Sequence, residues 1–229
     1  MPPRALSPSG LLLVDKPEGP SSFAVVAEVR RRTGARTGHA GTLDPFASGL
    51  LLVLSGAATR LASCFVGLDK HYVTDVDLSA VTATGDREGS VIEERTPPAE
   101  AELEELAEAL RGDIELPVPA ASAVKIGGER AYRLHRRGVG VEMPLRRSRV
   151  DALEVISYSD GVARLDLRVS SGTYVRAIAT ALGGHCAMLR RTEVGPFRVE
   201  EADPESFIPP ETALARIGID HGSGADPSA

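Results

Sequence analysis

Residues 38–51, GHAGTLDPFASGLL, form a glycine-rich segment that contains one acidic residue, Asp44, and ends in an apolar run. The run continues to Leu54 and predicts a buried β-strand over residues 49–55. Asp44 precedes Pro45, which disfavours the α-helical conformation for the residue before it. A single fixed acid here can serve as a nucleophile or a general base, although an Asp-Pro pair also commonly just starts a turn.

The segment before this stretch predicts a strand, a turn and a helix. Residues 11–14 form a short apolar run, and KPEG at residues 16–19 is typical of a turn. Ser21 or Ser22 can cap a helix that continues to Arg32, and the glycine two residues later can end it.

The rest of the chain mixes strand and helix patterns irregularly. Polar and apolar residues alternate over residues 72–78, and residues 149–157 and 162–169 are expected to pair through a turn. We also expect a last strand at 194–199, and helices at 59–66, 97–110, 129–137, 173–182 and 211–217. Because the βαβ alternation of a parallel sheet is missing, the pattern predicts an α+β domain around a mixed sheet.

The composition is that of a globular protein with a sizeable core. The chain has 229 residues, 42% of them hydrophobic and 25% charged. No apolar run reaches the length of a membrane span, and the N-terminal residues lack the hydrophobic segment of a secretion signal. Cys64 and Cys186 have neither a disulfide framework nor metal-ligand spacing. These features predict a cytoplasmic protein with no membrane partner and no metal.

The charge is unevenly distributed, although the net charge is −6. Residues 86–115 contain eleven acids and three arginines, whereas residues 125–149 contain eight basic residues and two acids. A polyanion responds to the local field within roughly 8 Å at physiological salt. The basic segment therefore suits a nucleic-acid surface, or it is only a solvated face.

Two other segments carry candidate functional side chains. SSGTYVRAI, residues 170–178, predicts a loop that opens a helix. Its Arg176 could pair with Asp44 and keep that carboxyl ionised, or could be an ordinary surface arginine. DKHYVTDV, residues 69–76, places Tyr72 where its ring could stack on a nucleobase or simply pack in the core.

Separated motifs in the same order resemble the TruB family of tRNA pseudouridine synthases over roughly residues 11–197. They are KPEGPSS, GHAGTLDPFASGLL, DKHY, SAVKIGGERAYRLHRRG, SSGTYVRAI and LRR. The resemblance implies a pseudouridine synthase fold with a largely antiparallel central sheet flanked by helices. It also implies isomerisation of the T-loop uridine at position 55 of tRNA, without metal or organic cofactor.

The resemblance assigns roles to individual residues. It implies that Asp44 is the catalytic aspartate, that Tyr72 stacks on the target base and can transfer a proton, and that Arg176 pairs with the aspartate. Positions that hold the flipped nucleotide and its loop are His39, Tyr174 and Leu189. Lys16 and Pro17 fall on a motif that supports the site structurally.

The expected organisation is a single catalytic domain over residues 1–220 that acts as a monomer on the tRNA T-arm. A basic insertion near residues 120–150 would embrace the RNA, and residues 221–229 would be a flexible tail. No C-terminal domain of the PUA type is expected. Ala121 departs from the family pattern, which often has a tyrosine there.

Two other functions stay open at this point. One is a non-catalytic protein that binds and folds tRNA, which would not need a buried acid facing an anionic ligand. The other is a synthase that acts on a different RNA uridine.

Overall fold

The computed structural model describes residues 9–219. Two 3-10 helices, Gly56–Leu61 and Val199–Glu201, accompany the regular elements. In chain order these elements are β1 (Gly10–Lys16), α1 (Ser22–Thr33), β2 (Thr37–His39), β3 (Ser48–Ser55), α2 (Ala62–Val66), β4 (Lys70–Asp77), β5 (Ala80–Thr82), β6 (Val91–Glu94), α3 (Glu100–Ala109), β7 (Gly112–Pro117), β8 (Lys125–Ile126), β9 (Glu129–Arg130), α4 (Ala131–Arg136), β10 (Leu145–Ser159), β11 (Val162–Val169), α5 (Val175–Ala181), β12 (His185–Val194), β13 (Phe197–Arg198), β14 (Phe207–Ile208) and α6 (Pro210–Arg216).

The described residues form two compact units. The first unit contains the chain up to Lys70 and again from Arg191, and the second contains residues 71–190. The first unit is therefore built from two segments that are distant in sequence.

In the first unit, β1 lies between β14 and β3, and β2 adds to β3. These pairs are antiparallel, with Leu11 opposite Leu54 in the β1–β3 register. Strand β3 is buried at every position after its first, so it is covered on both faces. Its continuous apolar run is typical of such a strand. Its leucines pack with residues from both ends of the chain, including Leu13, Phe197 and Leu214.

Helix α1 begins and ends as the sequence predicts. The Ser21 side chain accepts a hydrogen bond from the Ala24 N–H, and Gly34 ends the helix in the left-handed conformation with φ of 64°. Val26 and Val29 supply its buried face. The helix therefore leads the chain directly from the KPEG turn to β2.

In the second unit, the strand order is β4-β11-β10-β7. A tight turn joins β10 to β11, and both Asp160 and Gly161 have positive φ, as a two-residue hairpin of the primed type requires. Burial alternates along β4, so that Tyr72, Thr74 and Val76 share its buried face. Two small hairpins, β5–β6 and β8–β9, complete the unit.

The α+β class and the largely antiparallel sheet are confirmed. Two local expectations were wrong. Glu129–Arg130 is a strand rather than the start of a helix, and the strand expected at 194–199 is limited to Phe197–Arg198. The helix expected at 59–66 is a 3-10 helix followed by the short α2, and β7 and most of β12 were not predicted. The Gly127-Gly128 turn, with φ of 58° and 88°, folds β9 back on β8 and delays α4 to Ala131.

The single-domain organisation stays a prediction, and the tail at 221–229 lies outside the described residues. Cys64 and Cys186 are not joined in a disulfide bond. Within residues 9–219, no helix is both long and apolar enough to cross a membrane.

Candidate active site

Asp44 lies in the loop that joins β2 to β3 in the first unit. His39 at the end of β2 pairs with Val53, and Gly41 has φ of 93°, a conformation that side chains disfavour. The Ala47 N–H donates to the Asp44 carbonyl at 3.2 Å, so the Asp-Pro pair does start a turn. The acidic residue itself is only partly buried.

Ser22 anchors the loop on one side of Asp44. Its hydroxyl accepts a hydrogen bond from the Leu43 N–H at 2.8 Å and donates to the Leu43 carbonyl at 2.9 Å. Ser22 is 2% exposed, so water cannot replace either bond. The first residue of α1 therefore fixes both polar backbone groups of the residue before Asp44.

Lys16 anchors the loop on the other side. It is completely buried, and its ammonium donates to the carbonyls of Pro17, Pro20 and Pro45 at 2.8, 2.9 and 3.2 Å. Burial lowers the Lys16 pKa, while the negative charges of Asp44 and Glu18 raise it. The contacts with Pro17 and Pro45 are what a structural support for the loop requires.

His39 offers an unsatisfied ring nitrogen. Among the described residues, no hydrogen-bond partner reaches its buried Nδ1. Burial, and then the positive charge of Arg191, lower the His39 pKa. The lowered pKa favours the neutral form of the ring.

Tyr72 and Leu189 lie on strands of the second unit. Tyr72, on β4, is 8% exposed, and Leu189, on β12, is 5% exposed. Two residues after Tyr72 on the same face, Thr74 donates to the Met188 carbonyl at 2.6 Å. Strand backbone, rather than a loop, thus carries both residues.

Arg176 lies in the first turn of α5 and is 3% exposed. Its guanidinium is 3.4 Å from an Asp86 carboxylate oxygen and donates to the carbonyls of Thr84 and Ala121 at 2.7 and 3.0 Å. Arg176 is therefore not an ordinary surface arginine. Residue 121 accepts this hydrogen bond with its backbone oxygen, so the contact does not depend on whether its side chain is an alanine or the tyrosine that the family often has.

Tyr174 precedes α5 in an extended conformation and lines a shallow pocket of the second unit. The Arg146 guanidinium lies 5.8 Å from the centre of the Tyr174 ring. Gly172 permits this approach, since a Cβ there would lie 2.3 Å from an Arg146 nitrogen. An aromatic ring and a guanidinium thus line one pocket.

The basic segment 125–149 consists of the β8–β9 hairpin, α4 and the beginning of β10. The guanidinium groups of Arg133 and Arg136 lie 5.8 and 5.7 Å from the centre of the Tyr132 ring. Both arginines are exposed. The segment therefore presents cations around an aromatic ring, an arrangement that suits a nucleic-acid backbone and its bases.

The structure brings some predicted site residues together. Lys16, Pro17, His39 and Asp44 belong to the first unit, and Tyr72, Tyr174, Arg176 and Leu189 belong to the second. Pairing of Asp44 with Arg176 would join the two units and stays a prediction.

Sequence reasoning missed the roles of two buried charged residues. Asp86 pairs with Arg176, although the sequence counts it within a long acidic segment. Arg191 is 1% exposed and contacts the Asp44 loop. The signal for Arg191 was its place in the LRR motif.

Comparison with known proteins gives consistent matches. Residues 30–175 match the sequence model of the N-terminal domain of the TruB family pseudouridylate synthases. A tRNA pseudouridine synthase B from Mycobacterium sp. (strain KMS) is 42% identical over 221 residues, covering 90% of this chain and 74% of the relative. One from Leifsonia xyli subsp. xyli (strain CTCB07) is 44% identical over 222 residues, with the same coverage.

Among solved structures, the chain is similar to one in the crystal structure of a Cbf5-Nop10-Gar1 complex. The TM-score is 0.65 and the identity 28%. The match covers 82% of this chain and 50% of the solved one, so this chain spans about half the length of that neighbour.

Proposed function

Because the chain belongs to the TruB family of pseudouridylate synthases, we propose that it isomerises the T-loop uridine at position 55 of tRNA to pseudouridine, with Asp44 as the nucleophile. The observation that carries this proposal is Asp44 in the family's loop motif, with the backbone on both sides of it anchored by buried side chains. A nucleophile held in one position has already lost the freedom that would otherwise raise the barrier.

The reaction exchanges one bond between base and sugar for another. The bond between uracil N1 and ribose C1′ breaks, the base turns, and C5 joins C1′. A proton leaves C5, and N1 gains one. The Asp44 carboxylate can attack C1′, attack C6, or assist loss of the 2′ hydrogen through a glycal, and each route needs a carboxylate beside the sugar and base.

The target base must leave the stacked T-loop before Asp44 can reach it, which costs a few kcal/mol. In the proposal, stacking on Tyr72 offsets part of that cost, and Tyr72 also serves in proton transfer. Arg176 pairs with Asp44, while His39, Tyr174 and Leu189 hold the flipped nucleotide and its loop. The Arg146 guanidinium beside the Tyr174 ring supports this assignment, since an arginine and an aromatic ring are groups that contact nucleotides.

The basic segment 125–149 binds the T-arm backbone, and the protein acts as a monomer without metal or cofactor. Replacing four exposed arginines by glutamine should weaken binding and flatten its salt dependence, with a slope change of up to roughly 3. The four are Arg136, Arg137, Arg146 and Arg147. A control replaces exposed arginines elsewhere, namely Arg60, Arg87, Arg164 and Arg198. Unchanged affinity of the first variant at several salt concentrations would refute this role.

The decisive experiment measures tritium release from C5-labelled uridine in a tRNA T-arm hairpin. We expect release by the wild type and none by Asp44→Asn, which keeps the size of the side chain but loses its charge. Release by both proteins, or by neither, would overturn the catalytic role of Asp44.

The same assay separates the remaining alternatives. A non-catalytic protein that binds and folds tRNA would bind the hairpin without releasing tritium. A synthase for another RNA uridine would bind the T-arm weakly and release tritium only from a different labelled RNA.

A further inference from the structure

Arg191 lies in β12 beneath the loop that carries Asp44. Its Nε donates to the Leu50 carbonyl at 2.8 Å, and its two terminal nitrogens donate to the Thr42 and Gly41 carbonyls at 3.4 and 3.2 Å. One planar guanidinium thus joins the beginning of the loop to the strand that follows it. A lysine could not reproduce this fork, because its ammonium is a single point.

Two glycines of the loop motif lie against Arg191, and the absence of a side chain at Gly49 makes room for it. A Cβ on Gly49 would lie 2.2 Å from the Arg191 carbonyl oxygen, and one on Gly41 would lie 3.6 Å from an Arg191 side-chain nitrogen. Both glycines also have positive φ, 104° and 93°. Gly49 therefore allows the main chain of β3 to approach the main chain of Arg191. Gly41 lies next to the Arg191 guanidinium.

Among the described residues of the first unit, Arg191 is also one of three buried basic residues, with Lys16 and Lys70. Burial is the main cause of the lowered pKa of Lys16, His39 and Lys70, and the positive charge of Arg191 lowers each pKa further. Keeping such a charge out of water is costly unless its hydrogen bonds are satisfied. The described contacts satisfy it with loop carbonyls, which favours a role in holding the loop.

We propose that Arg191 is a positioning residue that sets the place of the Asp44 carboxylate through its three hydrogen bonds to the loop and β3. This inference rests on the proposed function, since it needs Asp44 to react. Together, Arg191, Ser22 and Lys16 donate to or accept from the backbone on both sides of Asp44, at Gly41, Thr42, Leu43 and Pro45.

The test compares Arg191→Lys and Arg191→Met with the wild type. Lysine keeps the charge and loses the fork, whereas methionine loses both. In both variants kcat should fall by about 10²-fold while KM for the T-arm hairpin changes less than about twofold, because misplacement of about 1 Å has that effect on rate. Arg198→Lys, at an exposed position, should keep the wild-type kcat.

A second measurement does not depend on activity. Hydrogen exchange of the peptide spanning residues 40–47 should accelerate in both Arg191 variants and stay unchanged in Arg198→Lys. Wild-type kcat in Arg191→Lys, or an increase confined to KM, would overturn the inference, as would unchanged hydrogen exchange. If Asp44→Asn keeps its activity, the proposed function itself fails, and the exchange result still decides whether Arg191 holds the loop.

Discussion

Two adjacent serines provide a sharp test of how the Asp44 loop is held. Ser22 exchanges two hydrogen bonds with the Leu43 backbone, and both are buried. Ser21 makes one exposed hydrogen bond, from the Ala24 N–H at 3.2 Å, as the cap of α1. Replacing each serine by alanine removes the same atom in two different environments.

The structure gives different expected magnitudes for the two changes. Ser22→Ala leaves a buried N–H and a buried carbonyl unpaired, which should cost about 3 kcal/mol, at roughly 1–3 kcal/mol for each group. Ser21→Ala loses only an N-cap, which should cost about 1 kcal/mol. For a chain of this size, the melting temperature should fall by roughly 6–12 °C and 2–4 °C, respectively.

Thermal unfolding and tritium release are measured on the same preparations. Because Ser22 fixes the residue before Asp44, we expect Ser22→Ala also to lower kcat below its melting temperature, while Ser21→Ala keeps wild-type kcat. Equal losses of stability in the two variants, or normal kcat in Ser22→Ala, would contradict the view that Ser22 holds the loop.

Three other perturbations give distinct expected results. Burial lowers the pKa of Lys70 from 10.5 to about 8, so Lys70 is charged in both the folded and the unfolded chain at pH 7 and loses its proton first in the folded chain. As the pH rises from 8 to 10.5, the free energy of unfolding of the wild type should therefore increase by about 3 kcal/mol relative to that of Lys70→Met. Urea titrations in which the difference between the two proteins stays constant over this pH range would exclude this. Gly49→Ala would place a Cβ 2.2 Å from a β12 carbonyl oxygen, so we expect little folded protein by circular dichroism. Gly38→Ala, whose Cβ would meet no atom within 4 Å, should unfold at nearly the wild-type temperature. Asp86→Asn removes the carboxylate charge 3.4 Å from the buried Arg176 guanidinium and should lower the free energy of unfolding by about 3 kcal/mol in urea. A loss under about 1 kcal/mol would show that the pair carries little energy.

Periodicity and capping were sufficient to predict much of the fold. The apolar run of β3, the alternation of β4 and the Ser21 and Gly34 signals of α1 each depend on neighbouring residues only. β12 could not be found in this way, because HCAMLRRTEV has neither regular alternation nor a continuous apolar run. Its pairing depends on tertiary contacts that local sequence does not reveal.

Three buried charged residues were also hidden from sequence reasoning. Arginine, lysine and aspartate are usually exposed, so pattern analysis places Arg191, Lys70 and Asp86 at the surface. The structure buries all three and pairs them with backbone carbonyls or with a buried opposite charge. Recognition of the motifs identified Asp44, but only coordinates could show which buried groups hold its loop.

The two-segment construction of the first unit constrains the order of events during protein synthesis. Asp44 leaves the ribosome long before Arg191, and the core around Leu13 needs Phe197 and Leu214. Residues 71–190 are continuous and can assemble while translation is still under way. The Asp44 loop would then acquire its Arg191 anchor only after residues 71–190 have been made, so a shorter nascent chain would meet tRNA with this loop incompletely held.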